Sequence, residues 1–206
     1  ENQGNKAFRA AEAGLEAALQ GMANVSGVVG LQGNSSYNAT YTAGGNDGFV
    51  NEGVEEGDLA QINLANADSS LTSLRIYWNG TSAIKASVYL GDPASGAYSV
   101  TYYTSDPAVD GRVGLNKFTP TANKAGYVFR GVSFANNFSI PIDMTSNPAP
   151  KVVRIQMLYG RSSMGVEPVG GLLSDGQVVT VSSTGTVDSN LKSKVTLQKF
   201  TDRIPL

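Results

Sequence analysis

Residues 71–90, LTSLRIYWNGTSAIKASVYL, decide the fold class. Apolar and polar side chains alternate on both sides of Asn79-Gly80, which is typical of two half-buried strands joined by a turn. An Asn-Gly pair between two such runs predicts a hairpin, although Thr81 and Ser82 lengthen the connection. Similar alternation returns along the chain, so the sequence predicts a β-rich domain.

The other predicted strands share this pattern, with β-branched and aromatic residues bounded by Gly, Asn, Ser or Pro. They cover residues 37–42, 59–64, 98–103, 127–134, 151–159, 177–182 and 193–200. Residues 138–142 contain Pro141, which cannot donate a backbone hydrogen bond, so they predict an edge strand. Residues 46–58 are rich in Gly and acidic residues and predict a loop.

Residues 5–23, NKAFRAAEAGLEAALQGMA, predict a helix that precedes all the strands. Its larger apolar residues recur every three or four positions, which places them on one helical face. That stripe is the predicted packing and assembly surface: Phe8, Ala11, Leu15, Ala18, Leu19 and Met22. The expected fold class is therefore α+β, with an amphipathic helix in residues 1–24 packed on a mostly antiparallel, β-rich domain in residues 25–206.

The chain of 206 residues contains no histidine and no cysteine. Histidine is the commonest general base and metal ligand, and cysteine is a frequent nucleophile and zinc ligand. The sequence also lacks a G-x-S-x-G nucleophile motif and a phosphate-binding glycine loop. We therefore expect a protein that is not an enzyme and has no cofactor, unless it binds calcium.

The formal charge of −2 gives no reason to expect nucleic-acid binding, which needs a clustered basic surface. Charge is nevertheless distributed unevenly, because no basic residue lies between Arg9 and Arg75. The C-terminal end, by contrast, is basic and carries Lys192, Lys194, Lys199 and Arg203. The acidic and basic parts could pair within the fold or head to tail between neighbouring molecules.

A candidate calcium site lies in the acidic residues of the predicted loop. Calcium is bound by several carboxylate and carbonyl oxygens, and a Gly-rich acidic stretch can supply them. The candidate ligands are Asp47, Glu52, Glu55, Glu56 and Asp58. Their spacing does not match the EF-hand pattern, and a solvated acidic loop accounts for the same residues.

A candidate ligand surface lies in the aromatic residues of the predicted strands. Its members are Tyr77, Trp78, Tyr102 and Tyr103, whose rings could bind a sugar. Because side chains alternate along a strand, half of these rings are expected to face the core. Trp78 beside the Asn-Gly turn is equally well explained as a core residue.

Residues 3–19, QGNKAFRAAEAGLEAAL, resemble the N-terminal helix of PilX-like minor pilins of type IV pili. The resemblance rests on an aromatic residue followed, after one intervening residue, by an Ala-Ala-Glu-Ala-Gly order. It is carried here by Asn5, Ala7, Phe8, Ala10, Ala11, Glu12, Ala13, Gly14 and Leu15. It does not extend into the β-rich part of the chain.

The resemblance implies a pilin-like fold and a structural subunit of a type IV pilus or related filament. Such a subunit assembles through its N-terminal helix with other pilin subunits and the inner-membrane assembly machinery. The resemblance also implies an apolar segment upstream of Glu1, which would anchor the protein in the inner membrane before it reaches the pilus surface. Two alternatives stay open: a cell-surface adhesin or ligand-binding β domain, and a pseudopilin of a type II secretion system.

Overall fold

The computed structural model describes residues 3–29, 35–92, 95–107, 111–121, 126–187 and 191–200. Its helices are α1 (Gln3–Gly21) and α2 (Arg112–Asn116). Its strands are β1 (Val25–Val29), β2 (Ser35–Gly44), β3 (Phe49–Val54), β4 (Leu59–Asn63), β5 (Ser73–Trp78), β6 (Ala83–Asp92), β7 (Ala97–Asp106), β8 (Thr119–Pro120), β9 (Tyr127–Phe129), β10 (Val132–Phe134), β11 (Asn136–Pro141), β12 (Pro150–Leu158), β13 (Ser162–Val169), β14 (Val178–Val187) and β15 (Leu191–Phe200).

The expected α+β, pilin-like fold class is wrong, because the structure is mostly β. Strands account for 55% of it and helices for 15%, and the strands form several sheets. Only the order of one N-terminal helix followed by strands agrees with the expectation.

The chain divides into two compact units. Unit 1 contains α1, β1, β2, β14 and β15 up to Lys199, and unit 2 contains the elements from β3 to β13. The predicted division into residues 1–24 and 25–206 is a different one, since unit 1 groups the helix with strands from both ends of the chain.

Unit 1 is a four-stranded sheet in the order β1-β2-β14-β15, with α1 against one face. Strands β2 and β14 are antiparallel and paired along their whole length, from Ser35 opposite Val187 to Gly44 opposite Val178. Its hydrophobic core centres on Ala18, Ala39 and Val181. Leu15, Leu19, Val25, Tyr41 and Val179 surround that core and are partly buried.

Unit 2 contains two larger sheets and a hairpin. One sheet has the order β11-β5-β13-β3 and the other β4-β12-β6-β7-β8, while β9 pairs with β10. Alternate residues of both sheets supply the core, including Leu74, Ile76, Ile84, Val153, Ile155, Met157, Met164 and Val166. The predicted edge strand is confirmed, because β11 with Pro141 lies at the end of its sheet.

The predicted hairpin at Asn79-Gly80 is wrong. Strand β5 pairs with β11 and β13, and β6 pairs with β12 and β7, so this turn links two sheets. The Asn79 side chain donates to the Ser133 carbonyl at 2.9 Å and accepts from the Ala135 amide at 2.8 Å. Long-range contacts therefore replace the local pairing that an Asn-Gly turn favours.

Residues 46–58 contain a strand, β3, where the sequence predicted a loop. Phe49 and Val54 are both buried although five positions separate them, which breaks the simple alternation of a strand. The register with β13 shifts between Ser162 and Met164, so a bulge turns Val54 back towards the core. The predicted single strand 127–134 is instead the hairpin β9–β10.

The short helix α2 is held by a buried ion pair. The Asp106 carboxylate is completely buried at the end of β7. Arg112 donates to both its oxygens at 2.8 Å, and Asn116 donates to Oδ2 at 2.7 Å. Because all three donors converge on one carboxylate, α2 is fixed to the sheet mainly by polar contacts.

Candidate functional site

The residues of α1 that are fully buried against the unit 1 sheet are all small, and Leu15 and Leu19 lie half-buried beside them. The fully buried residues are Ala7, Ala10, Ala11, Gly14 and Ala18. At Gly185 of β14 an added Cβ would lie 2.5 Å from the Ala11 nitrogen and would overlap the Ala7 carbonyl oxygen. Gly185 lies within a regular strand, so lack of space rather than an unusual φ requires glycine there.

A second close approach joins α1 to the sheet around Tyr37 of β2. A Cβ on Gly14 would lie 2.7 Å from Cδ2 of the Tyr37 ring and would overlap the Ser183 Oγ atom. The same ring covers Gly27 of β1, where a Cβ would lie 2.6 Å from the Tyr37 Oη atom. Two glycines thus make room for one tyrosine, which packs between α1 and β1.

The predicted assembly stripe lies partly inside unit 1 and partly on its surface. Ala11 and Ala18 are buried, and Leu15 and Leu19 are half-buried beside the core. Phe8 is 46% exposed and Met22 is 72% exposed. Helix α1 therefore has buried small residues against its own sheet and a flank of larger apolar residues, of which Phe8 and, directly after the helix, Met22 are exposed. The role of this flank in assembly stays a prediction.

The candidate calcium ligands do not converge on one point. Asp47 forms an ion pair with Arg130, and Glu55 Oε1 lies 3.2 Å from Arg161 Nε. Asp58 Oδ2 accepts a hydrogen bond from the Glu55 amide at 3.1 Å. Glu52 and Glu56 are also exposed. Across the described ranges, no three Asp or Glu residues form a group that could hold a metal ion.

The four candidate aromatic residues do not share a surface. Tyr77 and Trp78 are buried on β5, and Trp78 Nε1 donates to the Ser82 carbonyl at 2.7 Å. Tyr102 is 61% exposed, whereas its neighbour Tyr103 is half-buried. Alternation along β7 places these two on opposite faces of the sheet.

The buried Tyr77 belongs to a polar and aromatic cluster within unit 2. Its hydroxyl donates to Glu167 Oε2 at 2.5 Å, and Arg75 Nη1 donates to the same oxygen at 3.0 Å. Burial and then the hydrogen bond to Glu167 raise the pKa of Tyr77. The rings of Phe129 and Phe134 stack against Tyr77, with centroids 5.4 and 5.6 Å away. The cluster holds the β9–β10 hairpin on β5 and leaves the Tyr77 ring inaccessible to a ligand.

Strands β6 and β7 form a surface that could not be assembled from the sequence and that we call the tyrosine face: Tyr89, Tyr98 and Tyr102. The register, with Gly91 opposite Tyr98 and Ser87 opposite Tyr102, puts all three rings on one side of the sheet. The Tyr89 and Tyr98 centroids are 5.6 Å apart. Pairing of β6 with β7 was the missing information, because alternation within β7 alone cannot reveal it.

Two cations flank the tyrosine face. Lys85 Nζ lies 5.0 Å from the Tyr102 centroid, and Arg154 Cζ lies 5.5 Å from the Tyr89 centroid. Tyr98 is 40% exposed, so two rings and two cations are presented together on this side of unit 2. Such a surface can stack on a planar or ring-shaped ligand and donate hydrogen bonds to its edge.

No family model matches the chain, and no curated protein has a sequence that matches it. Among the described residues, no helix is both long enough and apolar enough to cross a membrane. What the protein does has to follow from the chemistry of α1 and of the tyrosine face.

Proposed function

We propose that the protein is a structural subunit of a type IV pilus or related filament, a minor pilin that assembles through α1. One observation carries the proposal: α1 packs on its own sheet through buried small residues and the half-buried Leu15 and Leu19, and it leaves Phe8 on the outside. The helix is therefore fixed to unit 1 while a large apolar side chain is free to contact a neighbouring subunit. The proposed partners are other pilin subunits and the inner-membrane assembly machinery.

Burial of Phe8 against a neighbouring subunit would contribute a substantial free energy to assembly. An aromatic side chain buries roughly 150–250 Å² in a protein interior. Covering the 46% that is exposed would remove roughly 90 Å² from water, worth about 2 kcal/mol per subunit contact. Because each subunit of a filament repeats the contact, this contribution would recur along the whole assembly.

Charged residues on the exposed side of α1 add a means of setting the register. Lys6 and Arg9 lie in its N-terminal half, and Glu12 and Glu16 follow towards its middle. A neighbouring helix shifted along the axis would bring the acidic residues of one subunit beside the basic residues of the next. Such complementarity favours one stagger over others and contributes more to specificity than to affinity.

The test is incorporation of the full-length protein into filaments in its own host. Filaments would be sheared from cells that produce wild type, Phe8→Glu or Val128→Glu. Val128 is a matched control because it is 73% exposed and lies in unit 2. We expect the Phe8 variant to disappear from the filament fraction while the Val128 variant is retained.

Absence of the wild-type protein from sheared filaments would refute the proposal, and so would normal incorporation of Phe8→Glu. A photo-crosslinking amino acid placed at residue 8 gives an independent readout. It should crosslink to other subunits, whereas the same group at residue 128 should not.

The tyrosine face favours a second candidate function, a ligand-binding β domain that acts in adhesion at the cell surface. Exposed Tyr98 and Tyr102 lie four residues apart on β7, or about 13 Å along the strand. Two stacking rings at that distance, flanked by Lys85 and Arg154, suit a chain of sugar rings. In this function the filament and the adhesive surface would belong to one molecule.

Binding to immobilised glycans tests the second candidate. Replacement of Tyr98 and Tyr102 by alanine should abolish binding to the glycans that wild type retains. Phe8→Ala removes an exposed aromatic ring outside the tyrosine face and should leave glycan binding unchanged. Equal binding by wild type and the double variant would exclude the tyrosine face as the ligand site.

A further inference from the structure

The face of the unit 1 sheet that points away from α1 forms a groove of about 430 Å³. Side chains alternate along a strand, so Ser183 and Gly185 of β14 face α1 and their neighbours Thr184 and Thr186 face outward. The two threonines are half-buried and form the floor, while longer exposed side chains on the flanking strands form the walls. We call this site the polar groove: Asn38, Thr184, Thr186, Lys192 and Lys194.

The groove presents side-chain hydrogen-bonding groups that no residue in the described part of the chain engages. Asn38 lies directly opposite Thr184 in the β2–β14 register, so their side chains sit together. Neither of them, nor Thr186, forms a side-chain hydrogen bond with another residue that the structure describes. A hydroxyl both donates and accepts, and an amide does the same through two different atoms. The floor and one wall can thus both donate hydrogen bonds to ligand hydroxyl groups and accept hydrogen bonds from them.

The other wall is cationic. Lys192 and Lys194 are two residues apart on β15, which places their side chains on the same face at a spacing of about 7 Å. Neither lysine forms an ion pair within the described part of the chain. Two adjacent ammonium groups without a carboxylate partner create a local positive potential in a protein with a net charge of −2.

We propose that the polar groove binds an acidic oligosaccharide, a short chain of sugar rings that bear carboxylate groups. The hydroxyl and amide groups would pair with sugar hydroxyls, and the two lysines would pair with carboxylates. The volume falls within the range of pockets for small ligands, roughly 300–1,000 Å³.

An acidic peptide is the competing occupant, and the groove suits it less well. Peptide recognition depends on apolar or aromatic anchors that fill pockets, whereas the outward side chains of the polar groove are hydroxyls, an amide and ammonium groups. The inference does not depend on assembly through α1 or on the tyrosine face, which lies in unit 2.

Isothermal titration of the whole 206-residue chain tests the proposal with three probes. They are a short oligogalacturonate, its fully methyl-esterified form and a peptide with the sequence of residues 50–60 of this chain. We expect saturable binding of the oligogalacturonate, weakening as salt is added because exposed charges are screened. The neutral ester should bind more weakly by about tenfold or more, and the peptide should give no saturable heat.

Variants locate the site. Lys192→Gln with Lys194→Gln should weaken oligogalacturonate binding by about 10- to 100-fold, and Thr184→Val by about threefold to tenfold. Lys6→Gln with Lys151→Gln removes the same charge from outside the groove and should bind like wild type. Circular dichroism establishes that each variant is folded.

Three results would overturn the proposal. The first is no saturable heat with oligogalacturonate at millimolar concentration. The second is unchanged binding by the folded double lysine variant, including the case in which Tyr98→Ala with Tyr102→Ala loses binding instead. The third is peptide binding as tight as that of the oligosaccharide, which would assign the groove to an acidic protein partner.

Discussion

Replacement of Gly185 by alanine should destabilise unit 1 by forcing α1 away from β14. The new Cβ would lie 2.5 Å from the Ala11 nitrogen, whereas ordinary van der Waals contact begins at 3.4 Å. The helix would therefore have to retreat by at least about 1 Å, because the overlap with the Ala7 carbonyl oxygen is closer still. No side-chain rotation can relieve the overlap, because the atoms that are met belong to the helix backbone.

The loss of stability in Gly185→Ala can be estimated from the displacement of the helix. Overpacking of a filled core costs typically about 1–3 kcal/mol. A gap of about 1 Å also forfeits as much as half of the dispersion energy between surfaces that were in contact. Both effects act on the buried small residues of α1. We therefore expect the free energy of unfolding to fall by about 3 kcal/mol, the upper end of the range for overpacking.

Urea unfolding followed by two spectroscopic probes measures the loss of stability and shows which unit it affects. The chain has one tryptophan, Trp78, which is buried in unit 2, so its fluorescence reports on that unit. Far-UV circular dichroism of the helical signal reports mainly on α1. The Gly185 variant should lower the urea midpoint of the helical signal by more than the midpoint of the fluorescence signal.

Gly44→Ala is the matched control, because Gly44 also lies in the unit 1 sheet but an added Cβ meets nothing within 4 Å. Its free energy of unfolding should stay within about 0.5 kcal/mol of that of wild type. If Gly185→Ala is as stable as Gly44→Ala, then α1 does not pack on β14 as closely as described here, and the reasoning from small residues fails.

Three further substitutions probe buried polar groups. Ser183→Ala should stabilise unit 1 by about 1 kcal/mol in urea unfolding, because the buried Ser183 Oγ has no hydrogen-bond partner among the described residues; a destabilised variant would contradict this. The raised pKa of Tyr77 means that folding favours its protonated form, so its contribution is complete below about pH 10 and is lost as the pH rises through the folded pKa. The urea midpoint of wild type should fall in that alkaline range, and Tyr77→Phe should reduce the fall; an identical pH profile for the variant would count against the assignment. Asp106→Asn leaves Arg112 without its buried carboxylate and should cost about 3–5 kcal/mol in thermal unfolding, a result refuted by an unchanged melting temperature.

The elements that could be predicted from the sequence are those with clean periodicity. Helix α1 and strands such as β6 and β12 show it, and they form close to the expected bounds. Strand β13 does not, because Gly165 and Pro168 interrupt it, and both residues are disfavoured inside a central strand. The reason for Gly165 lies outside the strand: an added Cβ would come within 3.1 Å of the Phe129 ring and 3.2 Å of Phe134.

The candidate surfaces, too, depend on strand pairing that a local sequence pattern does not contain. Tyr102 could be identified as an exposed ring from its strand, but its partners Tyr89 and Tyr98 depend on the β6–β7 register. Lys192 and Lys194 could be seen as a basic end of the chain, although the side chain of Lys199 and all of Arg203 lie outside the described residues. Their place beside Thr184 depends on the sheet order, which no local pattern contains.

The packing of α1 explains how one short run of sequence can contact the sheet and also present the proposed assembly surface. Within residues 7–15 the buried small residues face the sheet, Leu15 lies half-buried beside the core, and Phe8 and Glu12 are exposed. An alanine or glycine contributes little hydrophobic area, so the N-terminal half of the helix is held by close backbone approach at Gly185, while Leu15 and Leu19 pack beside the core further along. Attachment to the sheet therefore leaves Phe8 exposed, and if the proposed assembly through α1 is correct, a substitution there should change assembly without changing the fold.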